Sequence, residues 1–266
     1  SWVHRQRTRS RLSTMSTADT IAIVRPVPDS IGSCELTHVE RTPIDLETAR
    51  SQHRIYTETL EGLGCEIVVL PPLHDHPDSV FVEDPAFVLD ELAVIARSGA
   101  ESRRGEADSV AEVLALHRPC HAIRSPGCID GGDVIVIGRT LYVGHSTRTN
   151  AEAHRQLRDL LDPLGYRVRV VPLRDCLHLK TGATAISDDA VLCNPGWVPP
   201  STFEGLRIVE CHPDEPFSGN VVRVGRTLVA DSAWRRTNDR LAEAGFEVAE
   251  VHLGELTKAE GSVTCS

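Results

Sequence analysis

The sequence predicts an α/β fold, a ring of about five repeated units that each run strand, turn, strand, helix, strand. Three observations carry this. The stretches "DVIVIGRTLYVGHSTRTNAEA" (133–153) and "NVVRVGRTLVADSAWRRTNDRLAEA" (220–244) repeat each other, matching Gly138-Arg139-Thr140-Leu141 to Gly225-Arg226-Thr227-Leu228 and Arg148-Thr149-Asn150 to Arg236-Thr237-Asn238. Short β-rich runs alternate with helix-periodic segments along the rest of the chain. Polar clusters recur once per unit.

In order, "IAIVRP" (21–26) reads as a strand. The segment 43–64 carries Leu46, Ala49, Ile55, Tyr56 and Leu60 at helical spacing and ends at glycine, and "EIVVLPP" follows as a strand. Residues 85–114 fit the full unit, with a helix over 102–117, and 133–153 begins the next, with a helix over 148–165. "ATAISDDAVLCNPG" followed by "LRIVEC" fits the plan with a degraded helix, and 220–244 with "FEVAEVHL" completes another. The fifth unit combines the N-terminal strand with a strand expected beyond "GSVTCS", where the closing element is missing. A ββαβ unit cannot bury both faces alone, so several must share a core. Loops at the same end of each unit then converge near the pseudo-symmetry axis.

The composition, 41% hydrophobic and 25% charged over 266 residues, is globular. No apolar run approaches the ~18 residues of a membrane span, so no membrane association is expected. The formal charge of −10, with lysine only at Lys180 and Lys258, argues against nucleic acid. The eight cysteines form no CxxC pair and follow no secretory signal, so they read as free thiols in a reducing, cytoplasmic compartment. Residues 1–14 are basic and lack acids; because Met15 is the only methionine, they read as a disordered leader ahead of a single catalytic domain over 15–266.

The convergent clusters are "HPDSVFVED", "CIDGGD", "LHLKTG", "FSGN" and "EGSVTCS". Taken singly, each has a plain reading: Cys265 as a buried thiol, His178 as a core histidine between leucines, "DGGD" as a turn, Glu83 and Asp84 as a solvated strand end. Arg148 has one too, since Arg236 stands in the same RTN context and the pair could simply brace helix starts. Together they supply a nucleophile, a base, an orienting carboxylate and cation-binding carboxylates, the pattern for attack on a positively charged electrophile.

The motifs "DSVFVED" (78–84), "SRRGE" (102–106), "DGGD" (130–133), "STRTN" (146–150), "LHLK" (177–180) and Gly261-x-x-x-Cys265 stand in that order over residues 19–265. In this the chain resembles the dimethylarginine dimethylaminohydrolases of the guanidine-modifying (pentein) superfamily. The resemblance implies a five-bladed α/β propeller and hydrolysis of Nω-methylated L-arginine to L-citrulline and an amine, with no metal or cofactor, by a monomer or homodimer. It implies Cys265 as nucleophile, His178 as general acid and base, and Asp130 as the carboxylate orienting the histidine. It implies Glu83 and Asp84 as the guanidinium-binding pair. Asp78, Arg103 and Arg148 would hold the substrate's α-amino and α-carboxylate groups, Leu36 would close a lid, and the Ala259 backbone would line the pocket. Glu260 departs from the aspartate usual in the family. The related arginine deiminases carry an acid two residues after the histidine; here Lys180 stands there, expected to point outward, and the missing acid favours alkylated arginines. The alternatives are an arginine deiminase or amidinotransferase of the same fold, or an inactive arginine-binding protein.

Overall fold

The computed structural model describes residues 20–266, so the leader and Met15 lie outside the described residues. Four units follow one plan. Strands β3 (Ala86–Val88), β4 (Ala93–Ile95) and β5 (Cys120–Ala122) form the first complete sheet, followed by β6 (Val134–Ile137), β7 (Thr140–His145) and β8 (Arg167–Pro172). Then come β9 (Ala183–Ala185), β10 (Ala190–Cys193) and β11 (Arg207–Glu210), and β12 (Val222–Val224), β13 (Thr227–Asp231) and β14 (Glu247–Val251). In each, the first two strands pair antiparallel and the third joins parallel. The parallel pairing requires a crossover, which is where the helices go. The remaining sheet has two strands, β1 (Ile21–Val24) and β2 (Glu66–Val69), paired in parallel across helix α1 (Leu46–Gly62).

The GRTL repeat has a physical cause. Gly138 and Gly225 open two-residue hairpin links with φ of 56° and 59°, and such links favour positive φ, which glycine adopts freely. Side-chain caps bound the two longest helices. Asp45 caps α1 by accepting the Thr48 N–H at 2.7 Å, and Asn150 caps α3 (Ala151–Leu161) by accepting that of Ala153 at 3.0 Å. The expected helix over 102–117 divides into a 3₁₀ turn, Glu101–Glu106, and α2 (Ala107–Ala115). Between β10 and β11 the helix is reduced to a 3₁₀ turn at Pro200–Phe203, after the run of prolines at 195, 199 and 200. The two RTN motifs differ in use. The later copy carries one extra residue before it and α5 (Arg235–Glu243) starts earlier, so Asn238 lies inside the helix, bonding the Asp231 carbonyl and Glu250.

The core lies between sheets and runs around the ring. Ile23 and Leu70 beside β1–β2 pack with Ala93 and Ile95, and Phe87 and Val94 pack with Val134, Leu141 and Leu157. Ile135 and Tyr142 meet Val191 and Phe203, and Leu192 meets Leu228 and Leu241. Val224, Val229 and Val251 then return to Val27, Tyr56 and Leu60. Each unit buries its apolar faces only against two neighbours, which closes a five-membered ring, the pentein-type α/β propeller.

Candidate active site

Each polar cluster immediately precedes the first strand of a unit or, for Cys265, follows the last short helix, α6 (Gly254–Thr257). All therefore emerge at one end of the ring. Asp78, Asp84, Arg103, Arg148, His178, Ala259 and Cys265 line a single small cavity there. Leu36 packs beside it against the apolar cluster that includes Ala259, Val263 and Cys265.

His178 precedes α4 (Leu179–Gly182), and its Nε2 lies 3.2 Å from Asp130 Oδ2, while Nδ1 is 3.9 Å from Asp84 Oδ1. Gly132 permits this approach: a Cβ there would stand 2.8 Å from His178 Nδ1 and 2.9 Å from Asp84 Oδ1. Burial disfavours the charged imidazole, but Asp84, Asp130 and Asp133 outweigh it and raise its pKa to about 9. Burial likewise works against the Asp84 carboxylate, yet His178, Arg103 and the Gly132 N–H hold it at about 2. The Cys265 thiol is pushed strongly up, first by burial and then by the charges of Glu83 and Asp84. At neutral pH the resting site is therefore a thiol facing an imidazolium. Ligand atoms of Asp84, Asp130 and His178 lie within 4.8 Å of one another, close enough to grip a metal ion. Arg103, Arg148 and the imidazolium already balance those carboxylates.

Three side chains differ from the sequence expectation. Glu83 does not line the cavity; its Oε1 accepts from Lys180 Nζ at 2.6 Å and its Oε2 from Thr264 Oγ1 at 2.6 Å. Residues 82–85 form a turn, which splits the Glu83/Asp84 pair, and only Asp84 of the two faces the cavity. Lys180 points away from the cavity, as expected, but not into solvent, because the buried Glu83 carboxylate draws it in. Arg103 lines the cavity, but its donors serve the protein: Nη1 bonds Asp84 Oδ2 at 2.6 Å, and Nε and Nη2 bond Glu106. It braces Asp84 and balances its charge. Arg148 is different. Its Nη1 is 3.5 Å from Asp130 Oδ2 and is buried without a hydrogen-bond partner among the described residues.

Some functional residues were not singled out from sequence. Asn220 takes the Thr264 N–H on Oδ1 at 2.9 Å, and its Nδ2 donates to Thr264 Oγ1 and to the Lys180 carbonyl. It thus fixes the residue before Cys265; the signal was its place in "FSGN", the matching cluster of its unit. Glu260, in the left-handed region at φ 59°, turns its carboxylate to the backbone N–H groups of Thr37, His38 and Val39. The segment after Leu36 is thereby tied to the loop that carries Cys265. Asp78 Oδ2 holds the same segment through the Glu35 N–H at 3.1 Å.

Comparison with known proteins agrees with this fold. The family model for eukaryotic N,N dimethylarginine dimethylhydrolase matches residues 37–194. A Streptomyces coelicolor N(G),N(G)-dimethylarginine dimethylaminohydrolase is 41% identical over 249 residues, covering 92% of this chain and 94% of its own. The Pseudomonas aeruginosa enzyme of that name is 35% identical over 223 residues, covering 83% and 88%. A solved mutant of the Pseudomonas aeruginosa protein complexed with citrulline superposes with TM-score 0.87 at 34% identity, over 91% of this chain and 96% of that one. With the ring, its cavity and these relatives in agreement, the chain belongs to the dimethylarginine dimethylaminohydrolase family.

Proposed function

We propose that this protein hydrolyses Nω-methylated L-arginine, asymmetric dimethylarginine or monomethylarginine, to L-citrulline and dimethylamine or methylamine, through a covalent intermediate on Cys265. The observation that carries the reading is a single cavity walled by Cys265, an Asp130-paired His178, the carboxylate Asp84 and Arg148, whose Nη1 has no hydrogen-bond partner among the described residues.

A guanidinium is a poor electrophile because its charge spreads over three nitrogens, so a thiolate is needed. In the free protein burial and two carboxylates keep Cys265 protonated. The substrate's cation reverses that balance, because an opposite charge within about 4–6 Å favours the ionised form, and the thiol proton leaves as substrate seats. Asp84 binds the guanidinium by charge-assisted hydrogen bonds. Arg148 takes the α-carboxylate, and Asp78 with the backbone of Leu36 and Ala259 takes the α-amino group. Thiolate attacks the central carbon, His178 gives its proton to the departing dimethylamine, and a thiouronium remains. Neutral His178 then removes a proton from water, hydroxide adds to the carbon, and collapse releases citrulline and thiolate. Such acid–base help contributes roughly 10²–10⁴-fold. Because the first step uses the imidazolium, turnover is full below the histidine pKa and falls as pH rises through about 9.

The substrate is a small arginine derivative. Among the described residues no helix is long and apolar enough to cross a membrane, and the eight free cysteines fit a cytoplasmic setting. The test is citrulline release from dimethylarginine and from arginine at equal concentration. Faster release from dimethylarginine is expected; faster release from arginine would favour a deiminase.

A further inference from the structure

Asp133, the second carboxylate of "DGGD", is fully buried and makes no contact with the cavity, yet both its oxygens are engaged. Oδ1 accepts the Leu179 N–H at 2.9 Å, the peptide immediately after His178. Oδ2 accepts the hydroxyls of Ser146 and Thr149, each at 2.6 Å. Those hydroxyls are themselves committed. Ser146 Oγ accepts the N–H groups of Arg148 at 3.0 Å and Thr149 at 3.1 Å, and Thr149 Oγ1 accepts that of Asp130 at 3.4 Å. One carboxylate thus joins the loops that carry Asp130, Arg148 and His178. The site is built to hold it: a Cβ on Gly144 would stand 2.5 Å from Oδ1. An isolated buried carboxylate is costly, and three donors offset that cost only while all three are in place.

We propose that Asp133 is a positioning residue for the hydrolysis, setting His178 through the peptide that follows it and Arg148 through the hydroxyl pair at 146 and 149. The inference rests on the roles proposed above for His178 and Arg148. It has two separable arms. The histidine arm affects the chemical step and the charge around the imidazole, which otherwise faces Asp84 and Asp130, with Arg103, Arg148 and Cys265 on the same cavity. The arginine arm affects substrate binding.

The experiment measures kcat, KM and the pH profile with dimethylarginine for wild type, Asp133→Asn, Ser146→Ala and Thr149→Val, with thermal melts of each. Asp133→Asn should lower kcat roughly 10- to 100-fold, the scale of a misplaced catalytic group. It should also raise KM and move the alkaline limb to lower pH, because a negative charge beside the imidazolium is gone. Ser146→Ala breaks only the arginine arm, so it should raise KM about threefold or more with the alkaline limb unmoved; Thr149→Val should raise KM likewise and, because its hydroxyl also accepts the Asp130 N–H, lower kcat as well. His178→Ala, assayed alongside, tests the underlying reading separately: if it retains wild-type turnover, that reading fails whatever Asp133 does. With His178→Ala inactive, the proposal is overturned by a folded Asp133→Asn that loses only Vmax while KM and the pH limb stay put, as a smaller active fraction would give. Should Asp133→Asn fail to fold, wild-type KM in both hydroxyl variants overturns it.

Discussion

Lys180 Nζ and Glu83 Oε1 stand 2.6 Å apart, with side chains 19% and 12% exposed, and this contact changes what substitution at 180 should do. Burial raises the Glu83 pKa, and Lys180 and Thr264 pull it back. Lys180→Asp therefore does not install a deiminase-type acid against a waiting guanidinium. It sets a second carboxylate against Glu83, one residue from Asp84. The loss of a partly buried partner should cost about 1–3 kcal/mol of stability, with kcat/KM for dimethylarginine and for arginine falling together. Thermal melts and paired kinetics check this, and a gain for arginine at native thermal stability would count against it. The residues themselves were legible in the sequence, through motif order. Their directions were not: spacing places Glu83, Arg103 and Lys180 on the convergent loops, but which way each turns is decided by the charges it meets after folding.

At the scale of elements, the segment proposed as a lid and the cysteine loop form one assembly. Glu260 sits in a conformation unfavourable for a side chain, at φ 59°, and there its carboxylate gathers three consecutive N–H groups of the lid. Non-glycine residues in that region carry a cost of order 1–3 kcal/mol, which the contacts to the lid offset. Glu260→Ala should free the amides of residues 37–39. Hydrogen exchange there should speed about tenfold or more, since each lost bond to a charged group is worth ~1.5–3 kcal/mol. The amides of α1 should keep their protection. Unchanged exchange at 37–39 would show that the lid is held elsewhere. Helices and strands were readable because periodicity and caps such as Asp45 and Asn150 are local. The sequence did not reveal the lid contact, which joins residues some 220 positions apart. Nor did it show that Asn238, unlike Asn150, falls inside its helix, since α5 starts ahead of its RTN motif.

Over the whole molecule, the repeat seen between 133–153 and 220–244 was enough to give the ring, because a unit with two unsatisfied faces can close its core only against copies of itself. Five apolar clusters, one at each interface, carry that closure. The fifth sheet holds two described strands where the others hold three. Ring geometry is also what brings Cys265, at the far end of the chain, to the Glu83 peptide, whose N–H donates to the Cys265 carbonyl at 3.3 Å. The account's central claim is that this convergent end does covalent chemistry at Cys265. It is tested most directly by intact-mass spectrometry of protein quenched in acid during turnover of dimethylarginine, with peptide mapping of any adduct. An adduct retaining the substrate minus dimethylamine is expected on Cys265 alone, absent from an inactive Cys265→Ser and present in active Cys65→Ser and Cys211→Ser. Wild-type turnover by Cys265→Ser, or an adduct mapping to another cysteine, would contradict it.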